Sequence, residues 1–310
     1  MEVIEERVII NGEHKIGATI ARPDDKKRPL VLLIMGTGKL DRDGNMKGFK
    51  TNLYKDMSDL FVKMGYVCIR YDKRGTHESG GKFKTAGLSD LVNDSAYVIE
   101  FSKTLPYVDE NRIMACGHSE GAIIATLLTK QTELERVILL GGACMCLKSA
   151  MEYQNFKMLD EFKDKKGLLA WIINKTITKE KVKKQLTDLY EKARKAKNDT
   201  FFFRGAFLPT KWMKEHGALA DEDLIKMIEE YNGRVLAITG QADLQADYTC
   251  LDKIAEFENV ITYAPPNTNH MLKEIDDNNS LLTVQKQYKR LAQNPMHQGT
   301  QNEIEEFLEL

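Results

Sequence analysis

Between residues 30 and 140 of this 310-residue chain, short apolar runs alternate with stretches of helical periodicity, and no other feature constrains the fold as much. The pattern predicts strand Leu30 to Met35, helix Leu53 to Met64, strand Tyr66 to Tyr71 and helix Gly87 to Leu105. Strand Arg112 to Cys116, helix Gly121 to Lys130 and strand Arg136 to Leu140 follow. Fully apolar strands separated by helices call for an α/β fold with a mostly parallel, doubly wound sheet covered on both faces. Right-handed crossovers then carry every loop that follows a strand to one edge of the sheet, where ligands bind. Ahead of this series, Val3 to Ile10 and His14 to Ala21 flank Asn11-Gly12. That pair predicts an edge hairpin with a type I′ turn, because both residues tolerate positive φ.

The alternation stops after Gly141-Gly142 and resumes at strand Val235 to Thr239, helix Tyr248 to Phe257 and strand Asn259 to Tyr263. C-terminal helices are predicted around Leu281 to Leu291 and Asn302 to Leu310. The interval from Ala143 to Gly233 is far too long for a loop. It is lysine-rich and lacks β-branched runs, so residues 143–233 read as an inserted helical cap on a core made of 1–142 and 234–310. Trp171, Trp212 and Phe201-Phe202-Phe203 fall inside it. Each is explained by packing, and as a group some are expected to line a ligand pocket. The lysine-rich stretch Lys179 to Lys197 reads as a solvated helix face.

Where the Arg112 strand passes into the next helix stand Gly117, His118, Ser119, Glu120 and Gly121. A Gly-x-Ser-x-Gly string arises by chance in roughly one protein in ten of this size, so its context has to carry the argument. Here the context is a strand-to-helix turn that holds the serine hydroxyl over the sheet edge, with free N–H groups at the helix N-terminus below it. A serine nucleophile needs a base and an acid to orient that base, in the chain order Ser, Asp or Glu, His. Asp243 ends the loop after Val235 to Thr239 and is favoured over Asp247, whose position in the next helical turn is explained by the helix dipole. His270 follows the last strand, and His297 is the other histidine in the right chain order. For the oxyanion, the Glu120 N–H is one expected donor and Thr37, within Gly36-Thr37-Gly38, the favoured second. The Glu120 carboxylate is expected to bond nearby loops.

Composition limits the remaining classes. The 45 Lys and Arg nearly cancel the 46 Asp and Glu, which favours a small neutral ligand over nucleic acid or a membrane as partner. Three glutamates between Met1 and Arg7 are unlike the start of a secretory signal, and no apolar run approaches a membrane span. Five cysteines form an odd set, several in apolar runs, which points to buried thiols and a cytoplasmic setting. Neither a cofactor nor a metal is expected. Asp41 to Asn45 lacks the spaced glutamate of a calcium loop, so its carboxylates are assigned to holding the oxyanion loop.

These motifs resemble the α/β-hydrolase superfamily, and more narrowly its bacterial serine esterases and hydrolases with a helical cap, related to the serine aminopeptidase-like group. The resemblance rests on Gly36-Thr37-Gly38 with Asp41 to Asn45, Arg70 to Gly75, Gly117 to Gly121, Gly240 with Asp243-Leu244-Gln245, and Asn269-His270. It implies Ser119 as nucleophile, Asp243 as acid and His270 as base. Two departures stand out. Met35-Gly36 replaces the usual His-Gly, removing a side chain that often braces the oxyanion loop, and His77 takes a usual glycine position within Arg74 to Ser79. The expectation is a carboxylesterase-like serine hydrolase acting on esters of a small or medium acyl group through an acyl-enzyme, with monomer and homo-oligomer both open. A peptidase, amidase or thioesterase with the same triad, or a catalytically silent binding protein, are the alternatives. Activity is expected to rise with pH around a histidine pKa of about 6.5.

Overall fold

The structure is a computed structural model that describes residues 3–275 and 279–310. Met1 and Glu2, which open the acidic N-terminal run, lie outside the described residues. Strands β1 (Ile4–Asn11), β2 (Lys15–Arg22), β3 (Arg28–Ile34), β4 (Val67–Tyr71), β5 (Val108–His118) and β6 (Arg136–Leu140) belong to one sheet. Helices α1 (Leu53–Lys63), α2 (Leu88–Ser102) and α3 (Glu120–Leu128) connect them in the expected alternation. After β6 come α4 (Leu147–Lys163), α5 (Leu168–Thr176), α6 (Lys179–Lys195), β7 (Thr200–Phe203), β8 (Ala206–Pro209), α7 (Thr210–Ala218) and α8 (Asp221–Glu229). Strands β9 (Arg234–Ile238) and β10 (Val260–Tyr263) complete the sheet, and α9 (Val284–Leu291) and α10 (Gln298–Glu309) close the chain.

The eight-stranded sheet runs β1-β2-β4-β3-β5-β6-β9-β10. Only β1 with β2 and β2 with β4 pair antiparallel; the rest is parallel. Alternate residues of each strand feed two apolar layers. Leu30, Leu32, Ile69 and Ala115 join α2 and α3 on one face, while Val31, Leu33, Cys68 and Cys116 join α1 and α10 on the other. All five cysteines are buried.

Three local expectations are corrected. Asn11 pairs with Lys15, so three residues separate the strands of the hairpin, and neither Asn11 nor Gly12 takes a positive φ. Gly12 instead lies against α2, where a Cβ would stand a tight 3.0 Å from the Tyr97 ring. The stretch after β9 is a 3₁₀ helix over Tyr248–Lys253 rather than an α-helix reaching Phe257. Asp247 caps it, accepting from the Thr249 N–H at 3.1 Å. The interval 143–233 is not wholly helical, because Phe201-Phe202-Phe203 lies on β7, paired antiparallel with β8. That interval has a small core of its own, in which Val182, Leu186, Leu189 and Ala193 of α6 meet Phe201 and Met213.

Candidate active site

The geometry begins at the end of β5. Ser119 takes φ 57 and ψ −123, a strained conformation for a residue with a side chain, worth about 1–3 kcal/mol. Its N–H donates to Leu140 O on β6 at 2.8 Å, which fixes the turn to the neighbouring strand. The flanking glycines are steric necessities: a Cβ on Gly117 would lie 2.0 Å from Gly121 O, and one on Gly121 would lie 2.0 Å from Ile34 O. Strand, turn and helix therefore pack too closely for any other residue at either position.

Asp243 and His270 come from the loops after β9 and β10. Those loops are pinned together by the Ala242 N–H to Thr268 O at 3.1 Å and the Gln241 N–H to Pro265 O at 2.9 Å. Asp243 is buried; its Oδ1 accepts from the N–H groups of Gln245 (2.7 Å) and Ala246 (3.0 Å), and its Oδ2 from His270 Nδ1 (2.7 Å). With the proton on Nδ1, Nε2 carries the lone pair. The alternatives considered on sequence have other employment: Asp247 caps the 3₁₀ helix, and His297 caps α10, accepting from the Thr300 N–H at 3.2 Å.

Ser119 and His270 line one cavity of about 710 Å³, together with Thr37 and Glu120. No hydrogen bond joins Ser119 Oγ to the His270 ring among the described residues. The N–H groups of Thr37 and Glu120 likewise donate to no protein acceptor among them, so both stand available to a bound group. The interval 143–233 lends Met145, Leu147, Ala150, Met151, Gln154 and His216 to the cavity wall. Its aromatic residues do not line it. Trp171 is exposed, Phe201 packs in the small core, and Trp212 borders a separate apolar pocket beside Thr37, Phe83 and Leu91.

Several residues with no local sequence signal for such a role brace this site. Gly36, just before Thr37, donates its N–H to Tyr54 Oη at 2.8 Å, while its carbonyl accepts from Lys73 Nζ at 2.7 Å. The Tyr54 hydroxyl in turn meets His118 Nδ1 at 3.1 Å, and His118 Nε2 donates to the His270 carbonyl at 2.8 Å. Burial first, and then the nearby charge of His270, push His118 down to about 3, so its ring is neutral and can accept at one nitrogen while donating at the other. Tyr54 and Lys73 hold the loop in which Met35 stands where a histidine is usual.

The Glu120 carboxylate is buried and bonds to Lys73 of the loop after β4, as expected, and also to two residues of α7. It accepts from Lys73 Nζ (2.5 Å), Trp212 Nε1 (2.6 Å) and His216 Nε2 (3.1 Å). Burial alone would raise its pKa, but the positive charge of Lys73 and the His216 contact hold it well below the usual carboxylate range. Asp41 folds its own loop, its Oδ1 accepting from the N–H groups of Asp43 (3.0 Å) and Asn45 (2.8 Å). His77 sits at φ 43 on the surface, its ring nitrogen 3.3 Å from Lys39 O. Among the described residues no group of three or more His, Cys, Asp or Glu is placed to hold a metal ion, and no helix is long and apolar enough to cross a membrane.

Comparison with known proteins gives the family and the fold. A family model described as serine aminopeptidase, S33 (Hydrolase_4) matches residues 48–256. Esterase EstD of Thermotoga maritima is 24% identical over 126 residues, a match that covers 41% of this chain and 30% of the relative's length. Est1E from Butyrivibrio proteoclasticus, solved with ferulic acid bound, superimposes with a TM-score of 0.57 at 16% identity, covering 93% of this chain and 98% of its own. The Pyrococcus furiosus esterase Pf2001 gives a TM-score of 0.57 at 13% identity, covering 99% of this chain and 92% of its own. At such identities the likeness to the two solved structures is one of fold.

Proposed function

Because this chain belongs to the serine aminopeptidase S33 family of α/β-hydrolases, we propose that it is a serine hydrolase cleaving carboxylic esters of a small or medium acyl group through an acyl-enzyme. The observation that carries the reading is the 2.7 Å bond from His270 Nδ1 to Asp243, which leaves Nε2 to act as base in the cavity that Ser119 also lines. Ser119 Oγ attacks the ester carbonyl as His270 Nε2 takes its proton, and Asp243 stabilises the imidazolium that forms. The N–H groups of Thr37 and Glu120 hold the oxyanion. His270 then protonates the departing alcohol, and water repeats the sequence on the acyl group.

In this reading residues 143–233 act as a cap whose α4 and α7 close one side of the cavity. The wall is mostly apolar there, with Met145, Leu147 and Met151 lining the same cavity as Ile123, which suits an acyl chain. An aminopeptidase must also pair the ammonium group of its substrate. Among the described residues the only carboxylate lining the cavity is that of Glu120, whose oxygens are already taken by Lys73, Trp212 and His216. That favours esters over peptides with a free amino terminus.

The test is a panel of p-nitrophenyl esters of graded chain length run beside aminoacyl anilides. Turnover of short and medium esters, reduced about 10⁴-fold or more in Ser119→Ala, is expected. Preferential anilide cleavage, or ester turnover that survives in Ser119→Ala, would contradict the reading.

A further inference from the structure

Helix α5 turns its apolar face to solvent. Leu168, Trp171 and Ile172, spaced i, i+3 and i+4, are 73%, 58% and 41% exposed, and Ile177 just past the helix is exposed as well. A helix on an ordinary globular surface buries such a stripe and shows its polar side. Here the opposite side is the seated one: Ala170 is buried, and Asn174 Nδ2 ties α5 to α4 through Phe162 O at 2.9 Å.

The stripe lies within the most basic part of the chain. Residues 163–184 contain eight lysines against two acids, in a chain whose formal net charge is −1. Lys163 and Lys179 meet Asp160, and Lys183 meets Glu152. Lys165, Lys166 and Lys184 have no acidic partner among the described residues, and Lys175 lies over the exposed Trp171 ring at 4.8 Å.

We propose that this face docks on a lipid surface carrying anionic headgroups. Each half of the patch is answered by such a surface: the acyl boundary takes Leu168, Trp171 and Ile172, and the headgroups neutralise the lysines. A tryptophan beside lysines at the edge of an apolar stripe is the composition of an interfacial helix. A second copy of this chain is a poorer occupant, because two-fold pairing would set the lysine cluster against itself. A nucleic acid would answer the lysines but leave the apolar stripe in water. The proposal departs from the expectation of no membrane partner, which rested on whole-chain charge; that balance conceals a local basic segment. α5 is tied to the C-terminal end of α4, about three turns along that helix from Met151, which lines the cavity.

Cosedimentation of the full chain tests this, using vesicles of phosphatidylcholine with about 30 mol% phosphatidylglycerol beside pure phosphatidylcholine. Partitioning to the anionic vesicles about tenfold stronger than to the neutral ones is expected, lost on raising salt to about 0.5 M. Tryptophan emission should shift to the blue on binding, and Trp171→Ser should abolish the shift. Leu168→Ser with Trp171→Ser, and separately Lys165→Glu with Lys166→Glu, should each weaken binding about tenfold or more while leaving helicity and turnover of a water-soluble ester unchanged. Three results would overturn the proposal. One is no partitioning to either vesicle. Another is binding that the lysine variants abolish and the apolar variant leaves intact, with equal affinity for heparin, which assigns a polyanion site. The third is dimerisation in solution that the apolar variant abolishes, which assigns the face to a second copy.

Discussion

His118 and His270 stand 152 residues apart in the chain, yet the Nε2–H of the first donates to the main-chain carbonyl of the second at 2.8 Å. The other nitrogen of His118 meets Tyr54, which accepts the Gly36 N–H. One neutral imidazole, set beside the elbow serine, thus ties the loop after β3 to the loop after β10. In the proposed mechanism these loops carry the oxyanion donor Thr37 and the base His270, so His118 and Tyr54 are positioning residues.

Tyr54→Phe removes both of the tyrosine's bonds and leaves the Gly36 N–H and His118 Nδ1 buried without partners. The unfolding free energy should fall by about 1–3 kcal/mol. A drop of about tenfold or more in kcat, larger than any change in KM, is the expected kinetic result, since misplacement of an oxyanion donor is felt in the transition state. Steady-state kinetics on one ester, paired with urea denaturation, measure both.

His118 makes stability depend on pH. Its pKa falls from an ordinary 6.5 to about 3 on folding, so between those values the unfolded chain binds a proton that the folded chain does not. The stability it contributes is complete above about 6.5 and is lost as pH falls toward 3, with a slope of about 1.4 kcal/mol per pH unit. His118→Gln should flatten that part of the profile. Denaturation curves at intervals between pH 7 and 5 give the answer, and equal slopes in the two proteins would count against a buried neutral ring.

Glu120 neutralises Lys73 in a buried setting. Glu120→Ala should cost about 3–5 kcal/mol, because it strands a buried ammonium group. Since its folded pKa lies below the ordinary value of 4.5, the stability it supplies is present above that pH and is lost as pH falls further. His216→Ala should be milder, because Lys73 and Trp212 stay bonded to the carboxylate. Thermal melts of the two variants in parallel would show the ranking.

Gly121→Ala places a methyl group 2.0 Å from Ile34 O, where both partners are main chain and neither can yield. A loss of more than about 3 kcal/mol, or failure to fold, is expected. Gly38→Ala is the control: nothing lies within 4 Å of its Cβ, and only the positive φ of 122 opposes it. Soluble yield and melting temperature separate the two.

The parallel sheet and the strained turn at Ser119 are legible in the sequence because each follows from local pattern, and chain order puts Asp243 and His270 in loops that meet in the structure. Strand β6 lies where its apolar run predicts, from Arg136 to Leu140. The hairpin turn departs from its local signal: three residues separate the strands, and Gly12 faces a side chain 85 residues on, Tyr97, rather than taking a positive turn dihedral. Tyr54, Lys73, His118 and His216 stayed hidden for a related reason. A tyrosine in an amphipathic helix looks like core, and nothing local says that its hydroxyl spans two loops. Lys73 was at least within sight, inside the motif Arg70 to Gly75.

The central claim is that Ser119 is the nucleophile, and intact-mass spectrometry after treatment with a fluorophosphonate tests it most directly. One adduct per chain is expected, located to Ser119 by peptide mapping, formed more slowly in His270→Ala and absent from Ser119→Ala. Labelling that persists in folded Ser119→Ala, or no labelling of the folded wild-type protein, would contradict it.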